Sequence, residues 1–150
     1  MNIARLLHRL DAPETAGFVA ALAPVNALAD AAPGFVWRLQ TETGDATAIR
    51  LFADDAVIVN LSVWDSLESL RAFVYSGRHL AVLRQRREWF ERPRGPHTVA
   101  WWVEPGTRPT SEEGARRLAL LADTGPSSEA FDLQHSWPPP AGPGRAEGHG

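Results

Sequence analysis

The apolar positions change period several times along the chain, and each change marks an element. Asn2 to Leu7 is a short, partly apolar opening that reads as a strand. Asp11-Ala12-Pro13-Glu14 supplies an acceptor, an early proline and a carboxylate, the signature of a helix beginning. Phe18, Leu22, Val25 and Ala29 then recur on one helical face, and Pro24 predicts a kink or split over residues 20–24. Pro33-Gly34 ends that helix. Phe35 to Thr41 alternates, with Phe35, Trp37 and Leu39 on one side and Val36, Arg38 and Gln40 on the other. Beyond a polar connection through Thr43-Gly44-Asp45, the alternation strengthens. Val57, Val59, Leu61 and Val63 form a core face, against Ile58, Asn60, Ser62 and Trp64.

Asp65 and Glu68 offer a capping box to a helix carrying Leu67, Leu70, Phe73 and Val74. Ser76-Gly77 breaks it, and a second helix over Arg78 to Glu91 is stopped by Pro93 and Gly95. Thr98 to Val103 reads as a strand with Trp101 and Trp102 on opposite faces. Ser111 to Asp123 reads as a late helix with Leu118 and Leu121 inward, and Phe131 to Trp137 as an extended arm. From Pro138 onward, proline, glycine and isolated charges predict disorder.

The order strand, helix, strand, strand, helix, strand predicts an α+β fold of ferredoxin-like βαββαβ type. It has an antiparallel sheet, helices on one face, and an extra C-terminal helix and arm. The domain spans residues 1–137 and the tail residues 138–150. A sheet whose second face also carries Val, Ile, Trp and Ala needs cover, and a homodimer stacking two sheets face to face supplies it, as a dimeric α/β barrel.

Composition narrows the chemistry. The 150 residues suit one domain with a real core. A net charge of −3 with mixed signs predicts neither a nucleic-acid partner nor an acidic membrane. No apolar run near the start is long enough for a signal peptide or span, and a cytoplasmic location is expected. The chain has no cysteine, which excludes disulfides, thiolate catalysis, zinc ribbons and iron–sulfur clusters. Its 15 cationic residues are all arginine, which excludes lysine Schiff bases and a phosphate-binding P-loop lysine. No GxSxG, HExxH or GxGxxG pattern occurs. His8, His79, His97, His135 and His149 show no metal-ligand spacing, so no metal and no cofactor are expected; a haem on His79 or His97 is the remaining cofactor alternative.

The helix Arg78 to Glu91 is the most informative stretch. On a helical wheel His79 and Arg86 fall in the middle of its apolar face, with Val82, Leu83, Trp89 and Phe90 around them. Both would then face a pocket between helix and sheet, His79 as proton donor or acceptor and Arg86 as a clamp for an oxyanion or carboxylate. The structural alternative is a hydrogen-bonded core histidine beside an arginine whose stem is half buried. Trp37, Trp64 and Trp89 would line a flat cavity suited to a planar apolar ligand, with Asn60 and Tyr75 as polar fittings, or would serve as core and dimer interface.

Several motifs in a fixed order resemble the domain-of-unknown-function family numbered 3291. They are Gly34-Phe35-Val36-Trp37-Arg38-Leu39-Gln40, Asn60-Leu61-Ser62-Val63-Trp64, Phe73-Val74-Tyr75 with His79, Arg86-Arg87-Glu88-Trp89-Phe90, Trp101-Trp102-Val103 and Pro109-Thr110. The likeness covers about Ile3 to Trp137, and the chain departs from the pattern at Thr107, where a histidine would stand. The resemblance implies the dimeric α/β-barrel superfamily, with its cofactor-free antibiotic-biosynthesis monooxygenases and cyclases, but no catalytic residue list. The resulting expectation is a cofactor-independent small-molecule enzyme, an oxygenase, cyclase or isomerase, acting on a planar aromatic or polyketide-like metabolite. The alternative is a non-catalytic ligand-binding or dimeric scaffold protein.

Overall fold

Among the described residues, local sequence builds four α-helices and two small antiparallel sheets, a mixed α+β architecture. The computed structural model describes residues 1–40, 52 and 54–141. The Thr43-Gly44-Asp45 connection and the tail from residue 142 lie outside the described residues. The elements are β1 (Asn2–Arg5), α1 (Ala16–Asp30), β2 (Phe35–Arg38), β3 (Val57–Asn60), β4 (Ser62–Trp64), α2 (Leu67–Val74), α3 (Gly77–Trp89) and α4 (Ser111–Thr124). A short 3-10 turn, Pro13–Thr15, leads into α1.

Only Leu61 separates β3 from β4, and together they are the strand the alternation predicts. Its first half pairs with β1, setting Asn2 opposite Asn60 and Ile3 opposite Val59. Its second half pairs with β2, and the Leu39 amide donates to the Leu61 carbonyl at 2.8 Å. On the far side of β1, the predicted strand Thr98 to Val103 is reduced to isolated antiparallel bridges, Asn2 to Thr98 and Ala100 to Phe131. Residues 89–91 also lie against that side of β1, since Leu7 N–H donates to Trp89 O and Glu91 N–H to Arg5 O. This pairing shortens α3 relative to its predicted end at Glu91. The hydrogen-bonded order is therefore Phe131, residues 98–100, β1, β3 with β4, and β2, every contact antiparallel.

Other differences have local causes. The Asp11 carboxylate is taken by Arg9 at 3.0 Å, and no side chain caps the first turn. Helix α1 continues through Pro24; the carbonyl its missing N–H strands belongs to exposed Ala20, where water can satisfy it. Helix α2 is capped by Ser66, whose hydroxyl accepts from Ser69 N–H at 3.1 Å, and not by Asp65 with Glu68. In β2 a register shift sets Phe35 opposite Trp64 but Trp37 opposite Val63, so Phe35 and Trp37 point to opposite faces instead of sharing one.

Two layers pack on the strands. Val99, Leu118, Leu121 and Ala130 form a buried cluster, with Met1, Ile3 and Trp101 against it, so α4 covers the Ile3 side. On the other side the Trp64 ring stacks on Phe73 of α2, and Phe90 meets Phe18 of α1 edge-on at 4.9 Å. Arg38, beside Ser62 in the register, reaches Asp30 at the end of α1 at 2.7 Å. No helix of the described residues is long and apolar enough to cross a membrane.

Candidate functional site

The break between α2 and α3 sets the position of His79. Helix α2 ends at Val74, one of whose neighbours in space is the third residue of the next helix. The carbonyls of a last helical turn lack intrahelical partners, and His79 Nδ1 bonds the Val74 carbonyl at 2.9 Å. A carbonyl can only accept, so Nδ1 carries a proton, and in the neutral ring the lone pair is on Nε2. The half-buried imidazole also lies 4.9 Å from the Phe73 ring.

Phe73 links two predicted site residues. Its ring stacks on Trp64 at 5.1 Å, and Trp64 meets Phe35 edge-on at 5.5 Å. The Trp64 indole N–H donates to the Ser62 hydroxyl at 3.0 Å, which fixes the ring's tilt over the strand. A continuous series of rings, Phe35, Trp64, Phe73 and His79, thus runs from the sheet to α3. The sequence places Phe73 in a helical stripe and in the Phe73-Val74-Tyr75 motif with His79, but not among the candidate site residues.

The other predicted residues distribute differently. Arg86 is half-buried on α3, and its guanidinium makes no hydrogen bond or ion pair with any described residue. Asn60 is exposed on the same strand face as Ser62 and Trp64. Trp37 stands on the opposite face, because of the register shift in β2. Trp89 is 6% exposed and packs on Gly17 and Phe18, which places it in the core. Tyr75, at the end of α2, is 59% exposed. The structure therefore gathers Trp64 and His79 around Phe73, with Asn60 along the strand, and separates Trp37, Tyr75 and Trp89 from them.

A groove of about 770 Å³ lies beside this series of rings. Leu28, Ala32, Ala72 and Phe73 give it an apolar lining, with Glu68 and Ser69 among its polar groups. Phe73 is shared between groove and rings, whereas His79 and Arg86 do not line it. A smaller hollow of about 370 Å³ involves Leu7, Glu91, Arg92, Pro93 and Arg94. Among the described residues no cluster of three His, Asp or Glu side chains is placed to hold a metal ion.

A family model described as a domain of unknown function (DUF3291) matches residues 1–146. No curated protein and no solved structure matches the chain.

Proposed function

This chain belongs to the DUF3291 family, and within it we propose a cytoplasmic, homodimeric enzyme of ferredoxin-like architecture. It acts without a cofactor on a planar aromatic or polyketide-like small molecule lying between sheet and helices. The antiparallel order residues 98–100, β1, β3 with β4, and β2 supports the architecture, because a split βαβ connection generates that order.

The observation that carries the catalytic part is the His79 imidazole. Its Nδ1 is committed to Val74 O, so Nε2 is a ready proton acceptor beside the aromatic series. In the proposed mechanism Nε2 removes a proton from an activated C–H of the ligand. The negative charge moves onto the ligand's oxygen, where a guanidinium stabilises it. Arg86, two turns further along α3 and about 10 Å away along the axis, supplies that cation for a ligand whose conjugated fused rings carry the charge to an oxygen at their far end. Oxygenation, cyclisation and isomerisation all start from such a carbanion. Trp64 and Phe73 offer the flat surface and Asn60 a carboxamide for orientation.

The test follows deuterium incorporation into α-tetralone in heavy water. The folded protein exchanges the α-proton above the buffer rate, and His79→Gln, which keeps an N–H for Val74 O but has no base, lowers that excess at least a hundredfold. Equal rates with and without protein refute the catalytic reading. The groove of about 770 Å³, lined without His79 or Arg86, favours a second reading as a non-catalytic ligand-binding or scaffold protein. That reading predicts saturable quenching of tryptophan fluorescence by α-tetralone with no exchange, unaltered in His79→Gln.

A further inference from the structure

Three polar side chains stand in line across the strands. Asn60 of β3 lies directly opposite Asn2 of β1, and a bridge on the other edge of β1 sets Thr98 opposite the same Asn2. Directly opposed residues of antiparallel strands share a face. A hydroxyl and two carboxamides therefore form a row perpendicular to the chain direction.

The row occupies the face that helices approach. Trp64, two alternations along from Asn60, meets α2 there, and Phe90, opposite Leu6, meets α1. Yet Asn2 and Asn60 are exposed, and none of the three side chains hydrogen-bonds to a described residue. Sheet surface beneath a helix layer is ordinarily apolar, and polar groups covered there are ordinarily paired. Both carboxamides stand at the exposed strand surface with their donors and acceptors unused by described residues, equipped to bond a molecule that lies against the strands.

We propose that Thr98, Asn2 and Asn60 form the polar seat of the ligand site and select aromatic rings with oxygens in meta relation. The inference rests on the small-molecule reading of this face given above. Neighbouring strands lie about 4.7–4.9 Å apart, so adjacent groups of the row repeat at that interval, and meta oxygens on a benzene ring are separated by about the same distance. Ortho oxygens sit within hydrogen-bonding distance of each other and cannot address two strands at once. Each carboxamide both donates and accepts, and the threonine hydroxyl does the same, so the row serves a phenol or its keto tautomer equally.

The experiment titrates naphthoresorcinol and its ortho-diol isomer into the full chain, read by tryptophan fluorescence, for the native sequence and for Asn60→Ala, Asn2→Ala and Thr98→Val. The native sequence prefers the meta diol by about tenfold, the worth of one or two hydrogen bonds. Each substitution reduces that ratio while leaving thermal unfolding unchanged. Equal affinity for the two isomers, or a preference that survives all three substitutions, overturns the row and leaves the small-molecule reading standing. Binding of neither isomer overturns both. A change of sedimentation coefficient in Asn60→Ala assigns the row to contact between copies of the chain and overturns the proposal as well.

Discussion

Gly34→Ala tests how tightly the turn between α1 and β2 is pressed against the start of α2. Gly34 has φ 81°, a conformation that costs a residue with a Cβ about 1–2 kcal/mol. Its carbonyl accepts from Asp65 N–H at 2.8 Å, so the backbone cannot swing aside without losing that bond. An added methyl would run into the Ser69 hydroxyl and Cβ and the Asp65 carboxylate. Those groups belong to the cap of α2, where Ser66 Oγ holds Ser69 N–H at 3.1 Å and Ser69 Oγ at 2.8 Å. Displacing Ser69 loosens a cap worth about 1 kcal/mol. Strain, lost cap and residual clash together amount to about 2–4 kcal/mol, or a fall in Tm near 10 °C for a chain of this length.

Gly106 provides the comparison, because it has φ 85° but no atom within 4 Å of an added Cβ. Gly106→Ala therefore carries the strain alone, about 1–2 kcal/mol. Urea unfolding of both variants, at unchanged m-value, reads the difference directly. If Gly34→Ala costs no more than Gly106→Ala, the close approach to Ser69 and Asp65 has no energetic weight and the reasoning fails.

Phe131 is 1% exposed and exchanges two backbone hydrogen bonds with Ala100, so Phe131→Ala should destabilise by about 3–5 kcal/mol; a loss under about 1 kcal/mol in urea unfolding would show that the arm is not anchored there. The Asp54 carboxyl is held below its ordinary pKa, first by a hydrogen bond from Arg5 and then by the Ala56 N–H. A carboxyl depressed on folding stabilises above its unfolded pKa of 3.8 and loses that contribution as pH falls through the lower folded value. Asp54→Asn should flatten the acid limb of the stability profile, and identical acid limbs in the two proteins would refute the assignment.

Much of the fold was legible because it rests on periodicity. Val57, Val59, Leu61 and Val63 alternate, and Val59 and Leu61 are each 1% exposed; Leu118 and Leu121 likewise follow helical spacing to burial. What the pattern missed were competitions between neighbours. The Asp11 carboxylate could cap a helix or bind Arg9, and only the folded geometry decides for Arg9. The register shift that sends Trp37 away from Trp64 alters no residue type, so alternation alone could not foresee it. In the candidate site, the wheel sets His79 on the apolar face of its helix, where the ring is half-buried, but its bond to Val74 depends on where α2 stops. Trp89 shows the limit of reading aromatics as ligand walls, since a ring against a glycine and a phenylalanine packs as core.

The strand divided at Leu61 also bears on the assembly of the molecule. Pairing β2 with β4 joins residues 24 to 29 positions apart, from Arg38 with Ser62 (62 − 38) to Phe35 with Trp64 (64 − 35), whereas β1 with β3 joins residues 52 to 58 apart, from Arg5 with Val57 (57 − 5) to Asn2 with Asn60 (60 − 2). Doubling a loop costs about 0.6 kcal/mol of closure entropy. The shorter ribbon is therefore the less costly of the two to close, and once closed it offers the N-terminal strand a ready edge. Leu61, at the junction, is the one residue through which the less costly closure is joined to the more costly one.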